Sequence, residues 1–193
     1  MRVSLEKNFE VEQAVDIVWN YLIHPVDLVE CVPGVTLNEK VDEKTYKGTV
    51  GQKFGPISVT YNGEIVFEKI DEQAREISIK GKGIDSKGKG SVEMSLDMVL
   101  EERDTGTFVK TTMNISVVGM IAQFGSRLIS DVSDHLFKQF VENFKTKLSG
   151  KEIEEKDKEI KGGQVASTVA KSVASSIKGL FSKKDPEKGS DDG

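Results

Sequence analysis

Three stretches between residues 57 and 118 alternate apolar and polar side chains over ten or eleven positions. They read ISVTYNGEIVF, SVEMSLDMVL and FVKTTMNISVV. Successive side chains of a β-strand point to opposite faces, so this pattern predicts strands with one buried and one solvated face. Segments rich in Asp, Gly, Glu and Lys separate the stretches, and short breaks of this kind predict hairpins. The chain is therefore expected to form an antiparallel meander with one apolar face.

The remaining apolar positions predict one strand and two short helices before this meander and one long helix after it. Residues 2–11 alternate like the later strands, whereas apolar residues between 12 and 32 recur at helical spacing, interrupted at Pro25. From residue 120 to 148, apolar residues form a row at four-residue spacing, which is typical of a helix lying across a twisted sheet. The predicted fold is α+β: a curved antiparallel sheet of seven strands wrapped on a long C-terminal helix, with two short helices after the first strand.

The composition divides the chain into a folded part and a charged C-terminal extension. Residues 1–148 carry the periodic patterns, so we expect them to form one domain. Residues 149–164 are almost all charged or Gly and predict a flexible linker, and residues 185–193 predict a disordered end. Residues 165–184, VASTVAKSVASSIKGLFSKK, are apolar on one side of a helical wheel and predict an amphipathic tail helix.

Charge and cysteine content exclude several classes of protein. The formal net charge of -5 gives no reason to expect a nucleic-acid partner. The sequence has no run of about 18 apolar residues and no apolar signal segment at its start, so we expect neither a membrane span nor secretion. The single cysteine, Cys31, cannot form an internal disulfide, which favours a reducing cytoplasm.

The residues that usually carry catalysis or bind metals are sparse. His24 precedes Pro25 at a helix junction, His135 lies on the long helix without ligands at metal-binding spacing, and Cys31 has no base beside it. GKGIDSKGKG lies between two strands and does not match a phosphate-binding loop, so it predicts a mobile hairpin. We therefore predict no catalytic residue and no metal site, and we expect a protein that is not an enzyme.

A curved sheet closed by one helix leaves an interior space unless large side chains fill it. The predicted inward positions include Gly48, Gly63, Gly81 and Gly83 together with methionines, which adapt to irregular apolar contents. The glycines also fit bulges at which the sheet bends, and the two interpretations are compatible. Such a cavity predicts an apolar ligand. The residues expected to line it are Leu28, Tyr61, Met94, Leu96, Met98, Met113, Ile115, Val117, Ile121, Phe124 and Leu128.

Alternating strand directions predict where this cavity opens. They place four segments at one end of the sheet: the turns after strands three and five, the approach to strand two, and the step from strand seven into the long helix. Three of these segments contain glycine beside apolar residues. The residues expected to surround the mouth are Val32, Pro33, Gly34, Phe54, Gly55, Pro56, Gly119 and Met120.

The order of elements and two short motifs resemble a known family. One strand, two short helices, six strands and a long helix look like the helix-grip fold of the START and Bet v 1-like (SRPBCC) superfamily. Within it, HPVDLVECVPGV and GMIAQFGSRLI are similar to the two signature stretches of the CoxG family, which is associated with carbon-monoxide dehydrogenase. The resemblance implies a quinone (menaquinone or ubiquinone) or a lipid held between sheet and helix. It also implies a role beside molybdenum-containing carbon-monoxide dehydrogenases and related hydroxylases, including their recruitment to the membrane.

The C-terminal tail predicts a contact with the membrane. A weakly apolar face opposite lysines suits reversible binding to anionic lipid headgroups. Packing on its own domain, docking on a partner protein and disorder are the alternatives. The residues expected to contact lipid are Val169, Lys171, Val173, Ile177, Lys178, Leu180 and Phe181. We accordingly expect a cytoplasmic protein associated peripherally with the inner face of the cell membrane.

Three functions are compatible with the sequence. The leading one is a non-enzymatic carrier of a quinone or lipid-like ligand, accessory to a membrane-coupled molybdenum-containing dehydrogenase. The second is a polyketide cyclase-like or hydrolase-like enzyme on the same fold, which a converging acid–base pair with shifted pKa values would favour. The third is a chaperone-assisting interaction module, which a filled cavity would favour.

Overall fold

The computed structural model describes residues 1–54 and 57–153, and the structural statements below concern that part of the chain. The strands are β1 (Arg2–Val11), β2 (Val35–Lys40), β3 (Thr45–Phe54), β4 (Ile57–Asp71), β5 (Glu76–Asp85), β6 (Gly90–Arg103) and β7 (Gly106–Gly119). The α-helices are α1 (Val15–Leu22), α2 (Pro25–Leu28) and α3 (Gly125–Leu148). Two 3₁₀ turns, Val29–Cys31 and Met120–Phe124, precede β2 and α3.

All seven strands belong to one antiparallel sheet in the order β1-β7-β6-β5-β4-β3-β2. Strands β2 to β7 therefore follow one another as a meander, while α1 and α2 carry the chain from one edge of the sheet to the other. β1 pairs along its full length with β7, from Arg2 opposite Ser116 to Val11 opposite Thr107. The predicted α+β fold, with seven strands, one long helix and two short helices after β1, is confirmed.

The α-helical part of the last helix begins five residues later than the apolar row predicts. Met120–Phe124 form a 3₁₀ turn instead. Gly119 and Gly125 bracket this turn with φ angles of 97° and 84°, a region that residues other than glycine rarely adopt. The positive φ of Gly125 interrupts the α-helical hydrogen-bond ladder, although the row of apolar side chains continues through both segments.

Two separate apolar clusters hold α3 against the inner face of the sheet. The larger one, the basal core, packs on the C-terminal half of α3, where the Phe9 ring meets the rings of Phe137, Phe140 and Phe144 edge to face. The buried members of the basal core are Phe9, Val11, Val18, Trp19, Leu22, Cys31, Tyr46, Phe67, Ile77, Ile79, Met98, Leu100, Val109 and Phe144. The smaller one, the mouth-end cluster, packs on the N-terminal half of α3, and its buried members are Val59, Val117, Ile121, Leu128 and Ile129.

Polar contacts on both flanks fix the position of α3. On one flank, Lys7 Nζ of β1 lies 2.6 Å from Asp134 Oδ1. On the other flank, Asn143 Nδ2 donates a hydrogen bond of 3.2 Å to the carbonyl oxygen of Cys31. The two contacts join α3 to β1 on one side and to the 3₁₀ turn before β2 on the other.

Candidate ligand-binding site

A band of inward residues that runs diagonally across the sheet, between the basal core and the mouth-end cluster, belongs to neither. On β7, the inner face passes from Val109 in the basal core to Ile115 beside the mouth-end cluster. The two inner residues between them are Thr111 and Met113. We call this band the interior gap; the inward residues that define it are Leu5, Lys7, Gly48, Gly63, Gly81, Gly83, Met94, Thr111 and Met113 on the sheet and Leu136 on α3.

Glycine occupies inner positions of the gap on three neighbouring strands. Gly48 of β3 lies opposite Gly63 of β4, which lies opposite Gly83 of β5. A Cβ atom on Gly48 or Gly63 would approach backbone oxygens of the next strand to 2.6 and 2.8 Å, so these glycines let the strands bend closely together. A Cβ on Gly81 would meet nothing nearer than the Met94 methyl carbon at 3.4 Å. The glycines therefore bend the sheet and also remove volume from its inner face.

The apolar side chains of the gap are only partly buried, although they point toward the interior. Leu5, Met94, Met113 and Leu136 have intermediate exposure. By contrast Val109, the inner residue of β7 that comes before Thr111, is fully buried. Protein interiors are otherwise close-packed, so an inward side chain that still touches water-sized space borders a cavity. The inward side chains between the two clusters are therefore less completely packed than the basal core.

The predicted lining residues divide among the gap and the two clusters. Those that border the gap are Met94 and Met113. Those that belong to the basal core or pack on it are Leu28, Leu96 and Met98. Those that form the mouth-end cluster or pack on it are Tyr61, Ile115, Val117, Ile121, Phe124 and Leu128. The sequence prediction does not include Leu5 and Leu136, although both continue the same periodic rows.

Three polar side-chain atoms of the interior have no hydrogen-bond partner among the described residues: Thr111 Oγ1, His135 Nε2 and Gln139 Oε1. Thr111 is 3% exposed and Gln139 is 9% exposed. Thr111 is the cross-strand neighbour of Lys7, and Lys7 binds Asp134, the residue before His135. The His135 side chain points about 100° away from Asp134 around the helix, so this contact does not place it beside Thr111. Sequence reasoning considered only His135 of the three, and only as a metal ligand.

The segments predicted to surround the mouth lie at one end of the sheet, which we call the mouth end, and hydrogen bonds join them in two pairs. The N–H of Gly51 near the end of β3 donates to the carbonyl oxygen of Gly34, at 2.8 Å. The N–H of Met120 donates to the carbonyl oxygen of Lys89 in the β5–β6 turn, at 3.2 Å. The remaining predicted mouth residues at this end are Val32 and Pro33 before β2, Phe54 in the last position of β3, and Gly119 in the last position of β7. Gly55 and Pro56 lie outside the described residues.

The mouth end also exposes apolar and basic side chains. Ile84, Val118 and Met120 are 65%, 61% and 36% exposed. The carboxylate of the buried Asp85 accepts hydrogen bonds from backbone N–H groups within the β5–β6 turn and so contributes little surface charge. The exposed basic residues at this end are Lys53, Lys87, Lys89 and Arg127. We call these three apolar and four basic residues the mouth rim.

Two open clefts lie away from the interior gap. One, of about 510 Å³, lies at the opposite end of the sheet and is lined by Glu10, Val11, Glu12, Gln13, Arg103, Thr105, Thr107, Lys145 and Ser149. The other, of about 450 Å³, lies on the outer face and is lined by Asn38, Glu39, Lys47, Gly48, Thr49, Asn62, Gly63, Glu64, Lys82 and Ile84. Both clefts are open to solvent, and most of their lining residues are polar, charged or glycine, whereas apolar ligands favour enclosed apolar sites.

Two groups on the inner face of the fold have raised pKa values. Burial raises the pKa of the Cys31 thiol to about 11. Burial also raises the pKa of Tyr61, with a further contribution from the carboxylate of Asp85, its cross-strand neighbour. Both shifts favour the neutral form, so neither group is activated as a nucleophile.

The described residues do not test all of the sequence predictions. Among those residues, no group of three or more His, Cys, Asp or Glu side chains could hold a metal ion. None of the helices in the described ranges is both long enough and apolar enough to cross a bilayer. The predicted tail helix, with its lipid-contacting residues between 169 and 181, lies outside the described residues.

The comparisons with known proteins agree with this architecture. A family model described as CoxG, a subunit of carbon monoxide dehydrogenase, matches residues 8–149. The chain belongs to this family. The match covers every element of the sheet except the first part of β1, together with all of α3, and it confirms the resemblance seen in the sequence.

Solved structures share the fold of this CoxG-family chain. A conserved protein from Geobacillus kaustophilus is 22% identical, with a TM-score of 0.70 over 77% of this chain and 96% of that one. An uncharacterised protein from Rhizobium leguminosarum is 11% identical, with a TM-score of 0.56 over 78% and 97%. Ara h 8.0201 is 14% identical, with a TM-score of 0.55 over 78% and 99%. The search of curated proteins found no match. At these identities the likeness establishes the helix-grip fold alone.

Both signature stretches of the CoxG-family chain reach the mouth end. HPVDLVECVPGV covers α2 and the approach to β2, where Gln52 Nε2 donates to the carbonyl oxygen of Pro33 at 2.8 Å. GMIAQFGSRLI covers the 3₁₀ turn and the first residues of α3. The end of the first stretch and the second stretch therefore lie where the predicted cavity mouth is, whereas Leu28 packs on the basal core and Cys31 belongs to it.

Proposed function

We propose that this protein is a non-enzymatic carrier that holds a quinone, such as menaquinone or ubiquinone, or another lipid-like molecule in the interior gap. The observation that carries this proposal is the band of incompletely buried inward side chains between the two clusters, which includes Leu5, Met94, Met113 and Leu136. Membership in the CoxG family supports an accessory role beside a membrane-coupled, molybdenum-containing dehydrogenase of the carbon-monoxide dehydrogenase type.

The lining of the gap suits a flexible apolar ligand. Methionine side chains adapt to irregular shapes, and Met94 and Met113 lie on neighbouring strands of the gap. Removing apolar surface from water stabilises a complex by about 25 cal/mol per Å². A ligand that buries about 400 Å² would therefore gain about 10 kcal/mol before the cost of association.

The proposed membrane contact combines the C-terminal tail, residues 165–184, with the mouth rim. Support for the rim comes from its exposed Ile84, Val118 and Met120 beside four basic residues at the end where the ligand would leave. Each Lys or Arg near an anionic surface contributes about 1 kcal/mol. Because the whole chain has a formal net charge of -5, an anionic membrane would repel the rest of the surface and orient this end toward the bilayer. The protein would then be cytoplasmic and bound peripherally to the inner face of the membrane.

Filling the gap tests the carrier proposal. Gly81→Leu would place a side chain in the gap, whereas Lys82→Leu would add the same side chain on the solvated face of β5. We expect the wild-type protein and the Lys82→Leu variant to bind decylubiquinone and to yield quinone or lipid on organic extraction and mass spectrometry. We expect Gly81→Leu to lose both properties while keeping its circular dichroism spectrum. A folded Gly81→Leu variant that binds decylubiquinone as tightly as the wild type would show that the gap is not the site.

A further inference from the structure

We infer that the domain binds an anionic bilayer with the end opposite to the point where the chain leaves it, and that residues 154–164 form a tether just long enough for the tail and the mouth rim to contact the same bilayer. This inference rests on the proposed membrane contact, because it assigns the orientation that the contact requires. It adds a condition on the length of the chain that the charges alone do not impose.

The described chain ends far from the mouth, at what we call the exit end. Ser149 lines the same cleft as the end of β1 and the turn between β6 and β7, and Ile153 packs on the basal core. β7 runs from Gly106, between two residues of this cleft, to Gly119 at the mouth, and its 14 residues span about 40 Å. α3 covers the same distance with 24 residues, or about 36 Å. The exit end and the mouth rim are therefore separated by the whole length of the domain.

The chain between the exit end and the tail is only just long enough to cover this distance. Residues 154–164 separate Ile153 from Val165, the first residue of the tail. An extended chain spans at most about 3.3–3.6 Å per residue, so these residues reach about 40 Å. Two linked contacts strengthen one another only when the linker can span both sites. The tail and the mouth rim can therefore engage one bilayer with the natural tether, but a tether of half this length would not reach.

The charges at the two ends determine which end faces the bilayer. The mouth rim has four exposed basic residues, and the carboxylate of Asp85 beside them is buried. At the exit end, exposed carboxylates outnumber exposed cations, and one of those cations, Arg103, pairs with Glu101. The exposed acidic residues there are Glu10, Glu12, Glu102, Asp104 and Glu152, and the exposed basic residues are Arg103, Lys145 and Lys151. An anionic surface therefore attracts the mouth end and repels the exit end.

Shortening the tether tests the inference. Deleting residues 155–160 leaves a reach of about 20 Å, whereas replacing the same residues by Gly-Ser-Gly-Ser-Gly-Ser keeps the length and makes the same change in charge. With the natural or the Gly-Ser tether, Lys87→Glu combined with Lys89→Glu should weaken binding to phosphatidylglycerol vesicles roughly tenfold or more, because rim and tail contact one bilayer. With the shortened tether, the same two substitutions should change binding by less than about twofold.

A fluorophore measures the orientation directly. It can be attached after Ser86→Cys in the β5–β6 turn at the mouth end, or after Thr105→Cys in the β6–β7 turn at the exit end, since both positions are exposed. Cys31 is buried and its thiol has a pKa raised to about 11, so the introduced cysteine reacts preferentially. On phosphatidylglycerol vesicles with a quencher on the headgroups, we expect strong quenching at position 86 and little at position 105.

The outcomes separate this inference from the carrier proposal. Stronger quenching at position 105 than at position 86 would overturn the inference, and so would an equal effect of the two lysine substitutions with all three tethers. Either result would leave ligand binding in the interior gap intact, because decylubiquinone binding is measured without vesicles. Failure of the full chain to sediment with the vesicles would contradict the membrane contact itself and the inference with it.

Discussion

Cys31 shows how the interior of this fold controls the chemistry of a single side chain. Its side chain is fully buried at the end of a 3₁₀ turn, and its carbonyl oxygen accepts a hydrogen bond from Asn143 on α3. Burial outweighs the opposing charge of Lys147 and raises the thiol pKa to about 11. The thiolate is the nucleophilic form of cysteine, so at neutral pH this residue acts as a small apolar group.

The raised pKa of Cys31 predicts a loss of stability at alkaline pH. The unfolded-state pKa of cysteine is about 8.5, so the unfolded chain binds fewer protons than the folded one between that value and about 11. The stabilising contribution is complete below about pH 8.5 and is lost as the pH rises toward the folded-state pKa. We expect the stability difference between wild type and Cys31→Ala, measured by urea unfolding, to narrow from about pH 8 to about pH 10.5. A difference that stays constant over this range would contradict the burial-driven shift.

The 3₁₀ turn before α3 depends on two glycines with different surroundings. Gly119 and Gly125 both have positive φ angles. A Cβ on Gly119 would lie 2.1 Å from the carbonyl oxygen of Lys89 and 2.5 Å from the Cα atom of Gly90, whereas a Cβ on Gly125 would meet nothing within 4 Å. The first glycine is therefore required by close backbone approach as well as by its conformation.

This contrast gives a matched pair of variants. Gly119→Ala and Gly125→Ala should each introduce backbone strain of about 1–3 kcal/mol. Gly119→Ala should lose clearly more free energy of unfolding than Gly125→Ala, because its backbone contacts with the β5–β6 turn would have to open as well. Urea unfolding of the two variants measures the difference. Equal losses would show that the contact between Gly119 and the β5–β6 turn does not matter for stability.

The sequence predicts elements better than it predicts the contacts between them. Alternation fixes which face of a strand is buried, so residues such as Met94 and Met113 are correctly placed on the inner face. The same alternation does not say which cluster an inner residue joins, and Met98 lies in the basal core rather than in the predicted cavity. The four-residue row likewise extends through Met120–Phe124, because side-chain spacing does not reveal the positive φ of Gly125 that interrupts the helix.

The interior polar atoms without partners were the least accessible to sequence reasoning. Thr111 continues the alternation of β7, and a threonine in a strand raises no expectation because β-branched residues are common there. Gln139 lies one turn beyond His135 on a helix that also carries many exposed polar residues. The missing hydrogen-bond partners become visible only once the sheet and the helix are packed together.

The two ends of the folded domain are packed differently. The basal core holds the C-terminal half of α3 with three aromatic contacts to Phe9, while the mouth end has the smaller cluster, the glycine-bracketed turn and the exposed rim. Regions with fewer buried contacts open more readily than the rest of a fold. Ligand exchange at the mouth end is therefore compatible with a basal core that stays intact.

The boundary of the folded domain determines how the tail is tested. Ile153 packs on the basal core, so a truncation should end after this residue and not at residue 148, where the apolar row ends. We expect residues 1–153 to keep the melting temperature of the full chain and to bind decylubiquinone. Co-sedimentation with phosphatidylglycerol vesicles should fall strongly in this variant, because the lysine-bearing segment 165–184 is absent.

Two further measurements distinguish vesicle binding by the tail from vesicle binding by the mouth rim: the dependence on salt and the effect of a second variant. Binding of the full chain to these vesicles should weaken as salt rises, since the contribution of exposed lysines is screened. Any binding that remains in residues 1–153 should be lost when Lys87 and Lys89 are both replaced by Glu, and phosphatidylcholine vesicles serve as the uncharged control. Unchanged sedimentation of residues 1–153 would show that the tail is not the anchor. Residual binding that survives Lys87→Glu and Lys89→Glu would remove the rim from the membrane contact as well.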